Sequence, residues 1–215
     1  MRDQARRNAP FTVLTLDRIV SLRDFEDFAR AFAGIGKAQA TWLWDGEQRI
    51  VHLTIAAATS NGVDFTVDSQ SALFSNLRLA MDAARDIVQR LLIASYEPIF
   101  FRLKACILID PSYIAEKVLA AVTAALQQAY AFEQRSFGQP VHKGEVLAIV
   151  QAVEGVNAAF LGQLYLRGKT AELQTPLLAS QAARDETATQ PEGAIKPAQL
   201  LLLDPNGIDV TEVKP

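Results

Sequence analysis

The chain has 215 residues, half of them hydrophobic, 21% charged and 8% aromatic, a profile that excludes disorder as the default. The formal net charge of -3 and a pI near 5.5 exclude a global pull toward nucleic acid or an anionic membrane. A single cysteine, Cys106, excludes an internal disulfide and fits a reducing compartment; no secretion signal and no run of about 18 apolar residues is present.

Arg2, Arg6 and Arg7 make residues 1–10 a basic, solvated arm, and Phe11 to Leu16 is a β-branched, apolar stretch. Ser21 then opens a segment with Leu22, Phe25, Phe28, Ala29 and Phe32 at helical spacing. Ser21 with Asp24 resembles a capping arrangement, and Gly34 ends the helix. Lys37–Trp44 and Gln48–Ala57 are rich in β-formers and flank Asp45-Gly46, which predicts a hairpin. Asn61-Gly62 leads to a helix over Leu73–Ala84, and a strand from about Arg90 to Ser95 is preferred over a longer helix.

Pro98 marks a boundary, after which Phe101, Leu103, Ala105, Ile107 and Ile109 alternate with Arg102, Lys104 and Cys106 as a half-buried strand. Asp110-Pro111 predicts a capped helix running to about Phe132, on the order of 30 Å long. A turn at Phe137–Pro140, a short helix over Lys143–Val153 stopped by Gly155, and a strand over Val156–Leu166 follow. Ala179–Ala198, rich in Ala, Thr, Gln and Glu, reads as a linker. Gln199–Leu203, Asp204-Pro205-Asn206-Gly207 and Ile208–Val213 read as a small hairpin with too little apolar area to fold alone.

The expectation is therefore an α+β chain. Residues 11–97 and 98–170 form two small helix-on-sheet modules, ferredoxin-like in character, and residues 171–215 form an extended tail ending in a docking hairpin.

Motifs for chemistry are sparse. Gly34-Ile35-Gly36-Lys37 fails as a phosphate loop, because Ala31 stands where its first glycine belongs and Ala38 where a Ser or Thr belongs. His52, His142 and Cys106 have no metal-ligand spacing, and Asp24, Glu26 and Asp27 read as the solvated face of a helix. No catalytic residue, metal ligand or cofactor site is assigned. Trp42 and Trp44 share one face of a strand, which suits core packing or an interface anchor. With them, Leu200, Leu201, Leu202, Leu203, Ile208 and Val210 of the tail are the interface candidates.

Several strings carry a family resemblance. Val13–Arg18 with Val20–Ala29, then Ser95-Tyr96-Glu97-Pro98, Asp110-Pro111-Ser112-Tyr113, Phe137–Val141 and Val153-Glu154-Gly155-Val156 resemble the baseplate J-like family, in its baseplate assembly protein branch. Chain order and spacing match over roughly residues 8–213, and the resemblance implies the C-terminal part of a longer subunit. One departure is His142, three residues before Glu145, where relatives carry a small capping residue.

The resemblance implies a structural wedge component of a phage-tail-like contractile injection particle, linking hub and periphery during assembly and sheath triggering. It would be made in the cytoplasm and incorporated into the baseplate. Its expected partners are other wedge and hub proteins or a second copy of itself, with no nucleic acid, no stable membrane insertion and no cofactor. Two other readings stand beside it: a soluble adaptor for one partner, and an enzyme in which His52, Cys106 or the acids meet in a cleft.

Overall fold

The structure, a computed structural model, describes residues 18–59, 64–185 and 195–213. The expected basic arm at residues 1–10, the Phe11–Leu16 stretch, the Asn61-Gly62 turn and residues 186–194 of the expected linker lie outside the described residues. The chain divides into two compact units. The first holds residues up to Glu97 together with Gln181–Ala198, and the second holds Pro98–Ser180 together with Gln199 onward. Both are mixed α+β, each a three-stranded sheet carrying helices.

In the first unit, Ser21 caps α1 (Leu22–Ala31). Its Oγ accepts the Asp24 N–H at 3.2 Å, and the Asp24 carboxylate accepts the Ser21 N–H at 2.8 Å, closing a capping box. The helix buries Phe25 and Ala29, and Gly34 at φ 99 lets the chain turn into β1 (Ile35–Trp44). A Cβ on Gly36 would sit 2.7 Å from the Ala57 carbonyl oxygen, where the register shifts between Ile35 and Lys37. The two glycines thus serve a helix exit and a β-bulge.

β2 (Arg49–Ala57) pairs antiparallel with β1, and the chain crosses through α2 (Ala72–Ala84) to β3 (Leu91–Ser95), which runs parallel to β2. The order β1-β2-β3 leaves β1 at an edge. That edge is occupied by α1: Glu26 Oε1 accepts the Ala40 N–H at 3.0 Å, Arg30 Nη2 donates to the Ala38 carbonyl at 3.2 Å, and the two side chains pair at 2.7 Å. An ion pair on the solvated side of the helix therefore satisfies backbone groups that an edge strand would offer to another chain. Phe25, Leu53, Ile55, Leu77, Met81 and Ile93 lie in this unit's core.

In the second unit β4 (Glu97–Ile109) is central, with the sheet order β5-β4-β8. β5 (Val156–Leu166) pairs with it antiparallel, and α3 (Ala115–Ala129) and α4 (Lys143–Gln151) bring Val118, Val122, Leu126, Val146 and Val150 onto Phe101, Leu103, Ala105 and Ile107. One helix start differs from expectation. Asp110 does not cap α3; its Oδ1 accepts the Ser112 N–H at 2.8 Å in a turn of its own, and the helix begins only at Ala115, giving about 22 Å rather than 30 Å. At α4, where His142 departs from a small capping residue, the His142 side chain makes no cap, and the Glu145 side chain pairs with Arg135.

The expected C-terminal hairpin is also corrected. After the short strands β6 (Ala183–Arg184) and β7 (Ile195–Lys196), which pair antiparallel within the first unit, Gln199–Glu212 forms one 14-residue strand, β8, alongside β4. Arg102 pairs with Asp204 at 2.9 Å, Lys104 with Asp209 at 2.9 Å, and Cys106 Sγ lies 3.5 Å from Thr211 Oγ1. Both strands advance together along this series. Between its first two contacts, however, β8 advances five residues while β4 advances two. Asp204-Pro205-Asn206-Gly207 therefore forms a bulge instead of reversing the chain. The pull of Arg102 on Asp204 and the burial of Leu201 and Leu203 in the core outweigh the local turn preference.

Candidate functional site

The most chemically distinctive surface is the tip of the β1–β2 hairpin, residues 44–49. Asp45 builds the turn: its Oδ1 accepts the Glu47 and Gln48 N–H groups at 2.9 and 2.8 Å, and Gly46 takes φ 112. Its Oδ2 receives Arg90 Nη1 at 2.7 Å. The Gln48 and Glu47 N–H groups, joined by Arg90, hold the Asp45 carboxyl below the usual carboxylate range. This buried carboxylate has its acceptor capacity committed to the turn.

Around the turn stand two indoles and two further guanidiniums. Trp44 is 54% exposed, and Trp42, partly packed on the core, lies under Arg49 with 4.2 Å from the guanidinium carbon to the ring centroid. Arg184, on β6, reaches the same turn, where a Cβ on Gly46 would be 3.1 Å from its Nη2. Arg49 and Arg184 are exposed, and neither has an ion-pair partner among the described residues.

A second surface of the first unit is a groove of about 610 Å³ with a mixed lining, in which Val20, Ala83, Ala84 and Ile87 stand beside Arg18, Arg85, Asp86 and Gln89. Val20 is 72% and Ile87 89% exposed, and Val88 and Leu79 nearby in sequence are exposed too. Its wall is held by the Ile19 N–H donating to the Ala84 carbonyl at 3.1 Å, and by Arg85, which bonds Asp82 and the Gln89 carbonyl.

The residues weighed for catalysis each have another role. His52 is fully buried in the middle strand of its sheet, with Nδ1 3.4 Å from Thr54 Oγ1, and burial pushes its pKa down to about 4. Cys106 is half-buried beside Thr211 in the second unit, and His142 begins α4 there. Asp24 caps α1, while Glu26 and Asp27 hold Arg30. Among the described residues no group of three or more His, Cys, Asp or Glu could hold a metal ion, and no helix is long and apolar enough to cross a membrane.

Of the interface candidates, only the hairpin tip presents a large exposed side chain. Leu200, Leu201, Leu202 and Leu203, expected to dock either on the chain's own modules or on a neighbouring subunit, are buried within the chain, and Ile208 and Val210 pack partly against the second unit's own core. While β8 stays paired with β4, the four leucines are closed to another chain. Sequence reasoning also missed Arg135. This side chain is 2% exposed, donates to the Gln139 and Pro140 carbonyls at 3.1 and 2.8 Å, pairs with Glu145 at 3.0 Å, and lies 5.3 Å from the Tyr130 ring centroid. It organises the turn before α4 from inside.

The fold is that of a two-unit α+β protein, each unit a three-stranded sheet carrying helices. The model of the Baseplate J-like central domain matches residues 17–94. Among solved structures, the fold is similar to a chain of the anti-feeding prophage (AFP) baseplate, determined by cryo-EM and 6-fold symmetrised. The TM-score is 0.59 at 12% identity, covering 94% of this chain and 41% of that one. Against curated proteins, no sequence matches.

Proposed function

We propose that the chain is a structural component of the baseplate of a phage-tail-like contractile injection particle, a wedge subunit that links hub and periphery. The observation that carries the reading is a Baseplate J-like central domain in the first unit, joined to a fold likeness to a baseplate chain across 94% of the sequence. The surfaces agree in kind. The Trp42–Trp44 tip and the Val20–Ile87 groove give the first unit anchor residues and uncovered apolar area, which neighbouring subunits would cover in an assembly. Its partners are then other wedge and hub proteins and further copies of the chain, and its place after synthesis is the particle itself.

The test is deletion of the gene in the cell that makes the particle, followed by negative-stain microscopy. Tubes and sheaths without complete baseplates, restored by the gene in trans, are the expected result. Complete particles at normal yield would overturn the reading.

A further inference from the structure

The hairpin tip combines features that point to one kind of ligand. Its three guanidiniums, Arg49, Arg90 and Arg184, meet around a turn that carries both tryptophans of the chain. One acid in the turn, Asp45, is buried and engaged by two N–H groups and Arg90, so it has little left to offer Arg49 or Arg184. A locally cationic, aromatic tip thus stands on a chain of net charge -3.

A guanidinium presents a planar fork that matches a carboxylate in two parallel hydrogen bonds, and an exposed indole adds a rigid apolar anchor at small entropic cost. Nucleic acid fits less well. A polyphosphate requires cations repeated along a track, whereas here Asp45 and the exposed Glu47 interrupt the arginines.

We infer that the β1–β2 tip is a docking site for an acidic segment of a partner protein, with Arg49 and Arg184 taking its carboxylates and Trp44 packing against an apolar side chain between them. This deepens the assembly reading and rests on it only for the partner's identity. The site itself is a property of this chain.

Trp44 stands at the tip and Trp42 two residues before it on the same strand, so intrinsic fluorescence of the intact chain, whose two tryptophans these are, reports on this region. The probe is a twelve-residue synthetic peptide of Glu and Asp with two leucines, titrated at low and at high salt. Saturable change in tryptophan emission that weakens with salt is the expected result. The R49E/R184E double variant should bind at least tenfold more weakly, and W44A should weaken binding in an isothermal titration. R78E, which alters an exposed arginine on α2, should bind as the parent does.

No binding of the peptide to the parent, unchanged binding by R49E/R184E, or tighter binding of single-stranded oligothymidine than of the peptide would each overturn the inference. None of these results touches the deletion test, so the docking site and the baseplate role fail separately.

Discussion

Replacing Leu201 by alanine asks whether the C-terminal strand is part of the second unit's core. Leu201 is fully buried in a cluster with Leu103, Ile107, Val122 and Leu164. Truncation removes three buried carbons and leaves a cavity that strands β4 and β8 cannot close without breaking their pairing. Buried leucine truncations cost about 2–5 kcal/mol, a large part of the roughly 5–15 kcal/mol that holds a typical domain. With a urea slope of about 1–3 kcal/mol/M, a loss of about 3 kcal/mol moves the midpoint down by about 1–3 M. The assay is urea unfolding followed by far-UV circular dichroism. Tryptophan fluorescence recorded in parallel reports the first unit, where both tryptophans lie. Leu178→Ala, at an exposed position, is the control and should stay within about 0.5 kcal/mol of the parent. If Leu201→Ala shifts the dichroism transition no more than Leu178→Ala does, the strand reading of the tail is refuted.

Arg135, His52 and Glu26 each give a further outcome. Arg135→Ala strips donors from the Gln139 and Pro140 carbonyls and empties a buried site, and should cost about 2–4 kcal/mol in thermal unfolding, with Arg135→Lys recovering only part because it lacks the fork. His52, whose pKa falls from 6.5 to about 4 on burial, contributes stability that is whole above pH 6.5 and is lost as pH falls toward 4. Two and a half pH units amount to about 3 kcal/mol, so His52→Phe should flatten fluorescence-monitored stability between pH 7 and 4.5, and equal pH sensitivity in both proteins would contradict this. Glu26→Ala unpairs the Ala40 N–H at the β1 edge; hydrogen exchange at Ala40 should quicken by about tenfold, and light scattering should show association rising with concentration.

What could be read from the sequence was local. Ser21 with Asp24, the Asp45-Gly46 turn, and the strand after α2 each depend on residues close along the chain, and each stands near its expected place. Non-local pairing decided the rest. Asp204-Pro205-Asn206-Gly207 has the composition of a reversing turn and becomes a bulge only because Arg102, 102 residues earlier, holds Asp204. Arg135 looks like one charge in a polar loop until Tyr130 and Glu145 close around it. His52, a lone polar residue in a strand, is fully buried. The returning segment brings the Ala198 N–H onto neighbouring Thr54 Oγ1 at 3.2 Å, a contact 144 residues long in sequence. At the tip, the two indoles could be found by their spacing, whereas Arg184 joined them only through the pairing of β6 with β7.

A chain built into a contractile particle's baseplate, as proposed, can be located there directly. Particles purified from cells producing the chain with a small C-terminal tag would be reconstructed by cryo-EM, with and without tag-specific antibody fragments. The expected result is density for both α+β units within the baseplate, repeated by its rotational symmetry, with the antibody fragment attached to that density. Complete baseplates whose every density is filled by other proteins, with the tagged chain remaining in the soluble fraction, would contradict it.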